Sequence, residues 1–356
     1  MNFEEKIFFS PIEEALSKYI QDKGSDFIFI THPNLFAIYG QKIIEIFQKQ
    51  NKRIETVLFE EGEKNKTRQT KEIIEDAISE KGFQKDVHIV ALGGGVVLDM
   101  AGFVAATYLR GIKSIYIPTT LLAMCDAAIG GKCAVNTKFA KNQIGTFNKS
   151  EAIFIDMSFL KTLSEKEMQN GLVELIKHFL LYDKDLFFAF LEEKNLKERL
   201  VFYLEKSIAI KQQIISQDRY EKSLRQILNL GHSIAHALES IYGFNISHGS
   251  AVAIGIVAET ILSHQMGYLS LSTLNIIVDV FSKYLPERKI PISKEEILIF
   301  LQRDKKNREG NIHFVLLEEV GKVKLHEKFI SHPVDKKMII SSLSRLEEIV
   351  SCLSVQ

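Results

Sequence analysis

Three histidines lie close together in the second half of the chain. His232 and His236 are four residues apart in a stretch whose apolar pattern predicts a helix from Leu228 to Tyr242, and His248 follows soon after. Residues four apart lie one turn apart on the same helix face. Neutral imidazole suits zinc, and a catalytic zinc ion commonly has three protein ligands. The spacing predicts a metal site with His232 and His236 as ligands, His248 arriving from the loop beyond, and a carboxylate supplied from elsewhere.

The carboxylate is expected on an upstream helix. Ser164 and Glu167 have the spacing of a capping box, which opens a long amphipathic pattern. Glu174 has apolar neighbours on that helix and is the obvious residue to complete the histidine site. Two alternatives stay open: Glu174 forms a rival ligand pair with His178, or it makes a simple salt bridge to Lys177.

Charged and polar residues lead into the histidine stretch, namely Lys211, Asp218, Glu221 and Arg225. Arg225 and Asn229 are four residues apart, on the face of the predicted helix that continues to the histidines. A guanidinium fork beside the metal indicates a substrate that carries a carboxylate or a phosphate. Further along the chain, Lys305 and Lys306 add positive charge.

A glycine-rich turn lies in the first half. Residues 89–102 read IVALGGGVVLDMAG, an apolar strand that runs into Gly93, Gly94 and Gly95 and then into a helix. Glycines at such a junction let backbone N–H groups approach a pyrophosphate at the helix N-terminus. Because the spacing is not G-x-G-x-x-G, a plain tight turn is the alternative. The loop from Gly62 to Lys66 could reach the same nucleotide.

Polar residues also cluster among small ones in residues 117–132, which read IPTTLLAMCDAAIGGK. Thr119 and Thr120 follow a predicted strand, Asp126 lies in an otherwise apolar helix, and Lys132 ends the stretch. Lys141 and the amide of Asn142 come shortly after, and a lysine with an asparagine near glycines suits a phosphate group. This density of polar groups favours a site over packing.

The predicted elements that would position these residues differ between the halves. Apolar strands alternate with helical patterns in the first half: strands at Phe27–Thr31, Ile54–Phe59, Val87–Leu92 and Ser114–Ile117, and helices at Leu35–Lys49 and Thr67–Glu80. This alternation is typical of a mostly parallel sheet that binds nucleotides at the carboxyl ends of its strands. The prediction is an α/β N-terminal nucleotide-binding domain in residues 1–160.

After Asp156 the strand pattern fades. Helical patterns dominate from there, including Leu186–Gln217 and Ala253–Gln265, and a hairpin is predicted between Ile312–Leu317 and Lys322–Glu327. The second half, residues 161–356, is therefore predicted to be a mainly α-helical, C-terminal metal-binding domain.

Composition narrows the function classes. Of the 356 residues, 46% are hydrophobic and 25% charged, and Lys plus Arg equals Asp plus Glu at 45 each. Without a basic excess, no nucleic-acid or membrane partner is expected. We expect no export signal or membrane span. The three cysteines form neither a CxxC pair nor a disulfide framework, which fits a reducing cytoplasm.

The motifs taken together resemble the 3-dehydroquinate synthase family of the sugar-phosphate cyclase superfamily. The resemblance rests on GGGVVLDMAGFVAATYLRG, IPTTLLAMCDAAIGGKCAVN, KNQIGTF, GLVELIKH, LRQILNLGHSIAHALE, SHGSAVAIG and RDKKNREGNIHFVLL, in this order. It implies an NAD-binding α/β domain, a helical domain that binds Zn²⁺ or Co²⁺, and a homodimer.

The resemblance also implies residue roles. Glu174, His232 and His248 match the zinc ligands, whereas His236 matches a proton-transfer histidine, in contrast to the spacing argument. Substrate-site positions are matched by Asp126, Lys132, Asn142, Lys177, Lys211, Glu221, Arg225, Asn229, one of Lys305 and Lys306, and Arg110, which in the family can reach across a dimer interface. NAD-contacting positions are matched by Glu63, Lys66, Gly93, Gly94, Gly95, Asp99, Thr119, Thr120 and Lys141.

The implied reaction converts 3-deoxy-D-arabino-heptulosonate 7-phosphate to 3-dehydroquinate and phosphate, in the shikimate route to aromatic compounds. It proceeds by transient oxidation with NAD, phosphate elimination, reduction and aldol closure. One alternative is a related sugar-phosphate cyclase or a metal-dependent polyol dehydrogenase, although an uncharged polyol would leave the predicted cations unpaired. Another is an inactive NAD-binding protein, suggested by Leu98, Arg219 and Ser250, which depart from the family pattern, as does His32.

Overall fold

The computed structural model of the chain describes residues 5–138, 141–243, 245–284, 293–303 and 312–353. The chain divides into two compact units, Met1–Met168 and Gln169–Gln356. Lys305 and Lys306 lie outside the described residues. Within the described ranges, no helix combines the length and apolar character needed to cross a membrane.

The first unit contains a six-stranded parallel sheet in the order β1-β8-β5-β4-β2-β3. The first eight strands of the chain are β1 Lys6–Phe9, β2 Asp26–Thr31, β3 Arg53–Leu58, β4 His88–Gly93, β5 Lys113–Pro118, β6 Lys132–Val135, β7 Ile144–Phe147 and β8 Ala152–Ile155. Strands β6 and β7 form a separate antiparallel pair. All four strands that the sequence predicted are present, with ends shifted by one residue. The apolar runs of β2, β4 and β5 are buried on both faces of the sheet, whereas β3 lies at its edge and is only partly buried.

Helices connect these strands, as predicted. They are α1 Ile12–Ile20, α2 Pro33–Leu35, α3 Gln41–Gln48, α4 Arg68–Glu80 and α5 Gly95–Thr107. A π-helical turn, Phe36–Gly40, joins α2 to α3, so the predicted helix from Leu35 is present with an irregular first half. The N-cap of α4 is Thr67, whose Oγ1 accepts the Thr70 N–H at 3.1 Å.

The order of the strands creates a switch point. Strand β2 pairs with β3 on one side and with β4 on the other, so the chain moves outward after β2 and then crosses back. Parallel sheets bind nucleotides beyond the carboxyl ends of the strands at such a reversal. The turn Gly93–Gly95 follows β4 at this position. The fold therefore puts the predicted glycine turn where a nucleotide-binding site is expected.

The second unit is mainly helical. Its helices are α6 Glu165–Tyr182, which leads in from the first unit, α7 Lys184–Glu192, α8 Leu196–Gln217, α9 His232–Ile241, α10 His248–Gln265, α11 Leu271–Lys283, α12 Lys294–Arg303 and α13 Lys336–Leu353. Helix α10 lies at the centre, since every residue from Gly249 to Ser263 is buried. At α6 the Glu167 N–H donates to Ser164 Oγ at 3.3 Å, which is the first of the two hydrogen bonds of the predicted capping box.

Two predictions for this unit need correction. The helix predicted over Leu186–Gln217 is interrupted after Glu192, and Asn195 caps a new helix. The predicted hairpin is only partly present: β10 Leu317–Glu319 and β11 Lys322–Val323 pair across the expected turn. Strand β9 Ile312–Val315 instead pairs with β12 Ser331–Val334.

Candidate active site

The histidine helix begins later than the sequence predicted. Leu224–Asn229 forms a separate 3₁₀ turn, Gly231 has φ 81°, and α9 starts at His232. This left-handed conformation favours glycine. Helix α10 also passes close by, so a Cβ on Gly231 would lie 2.8 Å from the Val252 carbonyl oxygen. The predicted common face for Arg225 and the histidines is therefore wrong, because the helix does not extend that far back.

A buried carboxylate fixes this break. The Gly231 N–H donates to Glu259 Oε2 at 2.8 Å, and the Glu259 side chain on α10 is fully buried. A Cβ on Gly255, one turn before Glu259, would overlap the Gly231 carbonyl. The start of α9 is thus set by contacts with α10, which lies later in the chain.

Three potential metal ligands converge in the second unit. Glu174 Oε1 lies 3.7 Å from His232 Nε2 and 3.5 Å from His248 Nε2. Ligand atoms of all three residues lie within 4.8 Å of one another. Glu174 belongs to α6, and each histidine is the first residue of its helix, so His248 does not come from a loop as predicted. A carboxylate with two imidazoles can hold Zn²⁺ or Co²⁺.

The other ring nitrogens of the two histidines have acceptors. His232 Nδ1 lies 3.2 Å from the Leu230 carbonyl oxygen, and His248 Nδ1 lies 3.1 Å from Glu239 Oε1. A neutral imidazole that donates from Nδ1 has its lone pair on Nε2. Both rings are therefore held so that Nε2 faces Glu174 and could bind a metal ion.

Lys177 occupies the other oxygen of Glu174. Its ammonium lies 2.5 Å from Glu174 Oε2 and donates to the Leu228 carbonyl at 2.8 Å, and both side chains are almost fully buried. Burial alone would raise the pKa of Glu174, but the charge of Lys177 and the two imidazoles hold that pKa well below its usual range. The predicted salt bridge and the predicted ligand role thus use different oxygens of one ionised carboxylate.

The two histidines differ electrostatically. Burial, followed by the charge of Lys177, lowers the pKa of His232 well below its usual value. Burial also opposes protonation of His248, but its hydrogen bonds to Glu174 and Glu239 outweigh this and raise its pKa to about 10. Both carboxylates that His248 contacts raise its pKa, whereas the acceptor at Nδ1 of His232 is a neutral carbonyl group.

His236 and His178 occupy different surroundings. His236 is half-buried, and its ring centroid lies 5.6 Å from that of His232, one turn back on α9. His178 is fully buried one turn after Glu174, and its Nδ1 lies 2.7 Å from Ser207 Oγ. Ligand atoms of Glu174 and His178 also lie within 4.8 Å of one another, so the rival ligand pair stays open beside Glu174, His232 and His248.

Asp218 organises the segment before the histidines. Its carboxylate accepts backbone N–H groups of Lys222 at 3.0 Å, Ser223 at 2.7 Å and Arg225 at 3.1 Å. Burial would raise the pKa of Asp218, but these hydrogen bonds lower it. The sequence reading noted Asp218 without giving it a role, since such capping follows no fixed spacing. It fixes the backbone that carries Arg225.

Arg225 and Lys211, two of the predicted cations of this unit, are buried. Arg225 is only 2% exposed, and its Nη1 donates to the Arg219 carbonyl at 2.6 Å. Lys211, on α8, is buried as well. Asn229 Nδ2 donates to Glu221 Oε1 at 2.6 Å, and Glu221 adopts a left-handed φ of 57°. Strain at a non-glycine residue of this kind is frequent at functional sites.

The glycine turn of the first unit has two kinds of glycine. A Cβ on Gly93 would lie 2.5 Å from Val97 Cγ2, so Gly93 permits close packing of strand on helix. Gly94 and Gly95 have more room, with nearest atoms at 3.2 Å and 3.4 Å. Gly94 is the N-cap of α5, whose N-terminus suits an anion. Packing in a plain tight turn, the alternative to nucleotide binding, thus explains why residue 93 is glycine but does not explain Gly94 and Gly95.

A hydrogen-bonded network joins several predicted residues near this turn. Lys66 forms an ion pair with Asp99 and donates to Asn142 Oδ1 at 2.6 Å. Asn136 Nδ2 donates to Glu63 Oε1 at 2.8 Å, and the Asn142 N–H donates to Asn136 Oδ1 at 2.9 Å. Asn136 therefore links predicted cofactor residues to Asn142. Lys141 lies at the edge of the network, 3.9 Å from Glu63 Oε1.

The remaining predicted residues of the first unit follow β5 and α5. The Thr119 N–H donates to the Gly93 carbonyl at 3.0 Å, and Thr120 Oγ1 accepts the Ala123 N–H at 3.1 Å. Asp126 lies half-buried in a π-helical turn, and the exposed Lys132 begins β6. Arg110 is exposed, with a left-handed φ of 61°.

Three of the departures from the family pattern are buried, namely Leu98, His32 and Ser250. Leu98 packs inside the first unit at 1% exposure. His32 is 7% exposed, and its Nδ1 lies 2.9 Å from the Phe59 carbonyl oxygen. Burial lowers the pKa of His32 despite this hydrogen bond, so the ring is neutral at pH 7.

Two solved structures have the same fold. One is 2-deoxy-scyllo-inosose synthase complexed with carbaglucose-6-phosphate, NAD⁺ and Co²⁺, with a TM-score of 0.85 at 26% identity over 95% of this chain and 96% of that one. The other is 2-epi-5-epi-valiolone synthase from Streptomyces hygroscopicus subsp. jinggangensis with NAD⁺ and Zn²⁺ bound, with a TM-score of 0.87 at 25% identity over 98% of each chain.

Sequence comparison is more specific. A profile for the N-terminal part of 3-dehydroquinate synthase matches residues 56–170, and one for the C-terminal part matches residues 171–307. The chain is 40% identical over 324 residues to the 3-dehydroquinate synthase of Caldanaerobacter subterraneus subsp. tengcongensis, which covers 88% of this chain and 90% of that protein. The chain belongs to the 3-dehydroquinate synthase family.

Proposed function

We propose that this enzyme uses a divalent metal ion and NAD. Glu174, His232 and His248 hold the metal ion, and the glycine turn of the first unit holds the NAD. Its reaction converts 3-deoxy-D-arabino-heptulosonate 7-phosphate to 3-dehydroquinate and phosphate. The observation that carries the proposal is the approach of Glu174 Oε1 to two imidazole nitrogens, at 3.7 Å and 3.5 Å, in a chain of this family.

The donor set fits the metal. Both imidazoles have an acceptor at Nδ1, so Nε2 is available, and Glu174 is ionised at neutral pH. When bound, the metal ion supplies Lewis acidity toward a substrate hydroxyl and NAD supplies a hydride acceptor. Lys177 holds the Glu174 carboxylate in place from its second oxygen.

Other residues bind and orient the substrate. Arg225 and Lys211 are buried cations, which suit the carboxylate and phosphate of the substrate better than a neutral polyol. Asp126, Lys132, Asn142, Lys177, Glu221 and Asn229 complete the set that we assign to substrate. His236 is half-buried one turn after His232, and we assign it proton transfer.

NAD binding is assigned to the sheet's switch point. Backbone N–H groups at Gly94 and Gly95 would donate hydrogen bonds to the pyrophosphate at the start of α5. Thr119 and Thr120 follow the neighbouring strand β5, and the network around Lys66 and Asp99 lines the loop that precedes α4. Glu63 and Lys141 belong to the same network.

We also propose a homodimer in which Arg110 reaches the site of the other subunit. Its exposed side chain and left-handed backbone, at φ 61°, suit a residue presented to a partner. If so, Arg110→Ala should leave the dimer intact by light scattering but lower kcat/KM. A monomeric wild-type protein with full activity would contradict this.

The function is tested with one assay. With Zn²⁺ and a trace of NAD, the protein should release one phosphate per heptulosonate 7-phosphate consumed and accumulate no NADH. A dehydrogenase would instead release NADH in proportion to the substrate consumed. Chelation of the metal should abolish the reaction, and re-addition should restore it. Stoichiometric NADH from glycerol, without release of phosphate, would contradict the proposal.

A further inference from the structure

A buried carboxylate lies behind one of the two histidines. Glu239 is on α9, only 1% exposed, and its Oε1 lies 3.1 Å from His248 Nδ1 on α10. His248 Nε2 faces the opposite way, 3.5 Å from Glu174 Oε1. One imidazole therefore lies between two carboxylates that come from two other helices.

We propose that Glu239 is a positioning residue that orients His248 and strengthens it as a metal ligand. A carboxylate that accepts a hydrogen bond from the Nδ1–H group fixes the tautomer, holds the plane of the ring and makes Nε2 more electron-rich. The inference rests on the metal site proposed above and assigns a role to a residue that contacts neither metal nor substrate.

The comparison with His232 makes the role specific. The Nδ1 acceptor of His232 is the carbonyl of Leu230, at 3.2 Å, which is neutral and belongs to the preceding chain. That acceptor orients the ring without adding charge. Glu239 is ionisable, and it comes from a different helix, so its contact also ties the start of α10 to α9. The two ligands are thus held by different means.

The test is a metal affinity measured apart from turnover. Zinc affinity of purified protein is determined by competition with a chromophoric chelator at pH 7, with folding of the metal-free protein followed by circular dichroism. Glu239→Gln keeps the shape of the side chain but removes its charge. We expect the variant to fold and to bind zinc about 10- to 100-fold more weakly than the wild type, the usual cost of losing such a partner.

The matched control is Glu259→Gln. Glu259 is equally buried on α10, but it accepts a hydrogen bond from the backbone N–H of Gly231, at 2.8 Å. A glutamine oxygen can still accept that hydrogen bond. We expect its zinc affinity to stay within about threefold of the wild type. An equal loss in both variants would overturn the proposal, since it would reflect removal of any buried charge. Unchanged affinity in Glu239→Gln would overturn it as well.

A second measurement reads the role of Glu239 in the wild-type protein and uses a variant only to assign resonances. In zinc-loaded wild-type protein with ¹⁵N-labelled histidine, the His248 ring should show zinc on Nε2 and a hydrogen-bonded proton on Nδ1. Its resonances are assigned by their absence in His248→Asn. Zinc on Nδ1 would overturn the role of Glu239. If the wild type binds no zinc at all, the proposed metal site fails instead, so the two failures are distinguishable.

Discussion

The ion pair of Glu174 and Lys177 allows a quantitative prediction for the metal-free protein. The two charged groups are 2.5 Å apart, and their side chains are 0% and 2% exposed. Glu174→Gln removes one charge and leaves the Lys177 ammonium buried, with its hydrogen bond to the Leu228 carbonyl. Lys177→Met leaves the carboxylate buried beside two imidazoles. The double variant removes both charges at nearly constant volume.

Breaking one partner of a buried pair costs about 3–5 kcal/mol, because a charge remains without compensation. We expect each single variant to lose about this much free energy of unfolding. In a cooperative unit of 150–250 residues, this corresponds to a fall in Tm of about 6–20 °C. Removing both partners often costs little, so the double variant should lose far less than the sum of the two single losses, which gives a coupling of about 3 kcal/mol or more.

The measurement is thermal and urea unfolding of all four proteins in a chelator at pH 7. The sign follows from the pKa of Glu174, which is depressed in the folded state. Its contribution is therefore complete above the unfolded pKa, about 4.3, and is lost as the pH falls through the folded value. The difference between Glu174→Gln and the wild type should thus shrink only in acid. A coupling below about 0.5 kcal/mol would refute the reasoning, since independent sites show no more than that.

Three further predictions concern metal, pH and substrate. His248→Ala should purify without zinc, whereas His236→Ala should keep zinc and lose turnover by about 100-fold or more; metal analysis and the phosphate assay decide this. In the metal-free protein the pKa of His248 is raised to about 10. Its stabilising charge is therefore present below about pH 6.5 and lost as the pH rises toward 10, so unfolding titrations should show falling stability that His248→Ala flattens. Arg225→Lys should lower kcat/KM by about 10- to 100-fold, because an ammonium cannot reproduce the guanidinium geometry; near-normal kinetics would make Arg225 peripheral.

Local patterns predicted the strands well. Phe27, Ile28, Phe29 and Ile30 are all fully buried in β2, because helices cover both faces of a parallel sheet. A short run of large apolar residues then predicts a buried strand, and only the end residues of that strand are left open. The sequence accordingly predicted Phe27–Thr31 where the strand is Asp26–Thr31.

The start of α9 could not be predicted in the same way. The apolar spacing of Leu228, Leu230 and Ile234 continues through Gly231 without a visible break. A tertiary contact breaks the predicted helix at this point. The Glu259 carboxylate, 28 residues later in the chain, accepts a hydrogen bond from the Gly231 N–H. A glycine inside an apolar pattern is compatible with a helix, so nothing local separates the two outcomes.

The start of α10 did have a local signal. Ser247 caps the helix, and its Oγ accepts the Ser250 N–H at 3.3 Å. Serine is a preferred N-cap residue, so a helix beginning at His248 was readable from the sequence. The sequence-based prediction began the helix at Ala253, five residues late, and gave Ser247 no role. Here Gly249 has a packing reason, since a Cβ would lie 2.5 Å from the Asn170 Cα.

Helix starts, rather than helix faces, set the geometry of this site. His232 and His248 are each the first residue of a helix, so a shift of either start by one residue would rotate the side chain by about 100° and move it by about 1.5 Å. Ligand atoms that now lie within 4.8 Å of one another would then separate. The spacing of His232 and His236 describes a face and carries no information on this. The Ser247 cap and the hydrogen bond from the Gly231 N–H to Glu259 fix the two starts and thereby help to position His232 and His248.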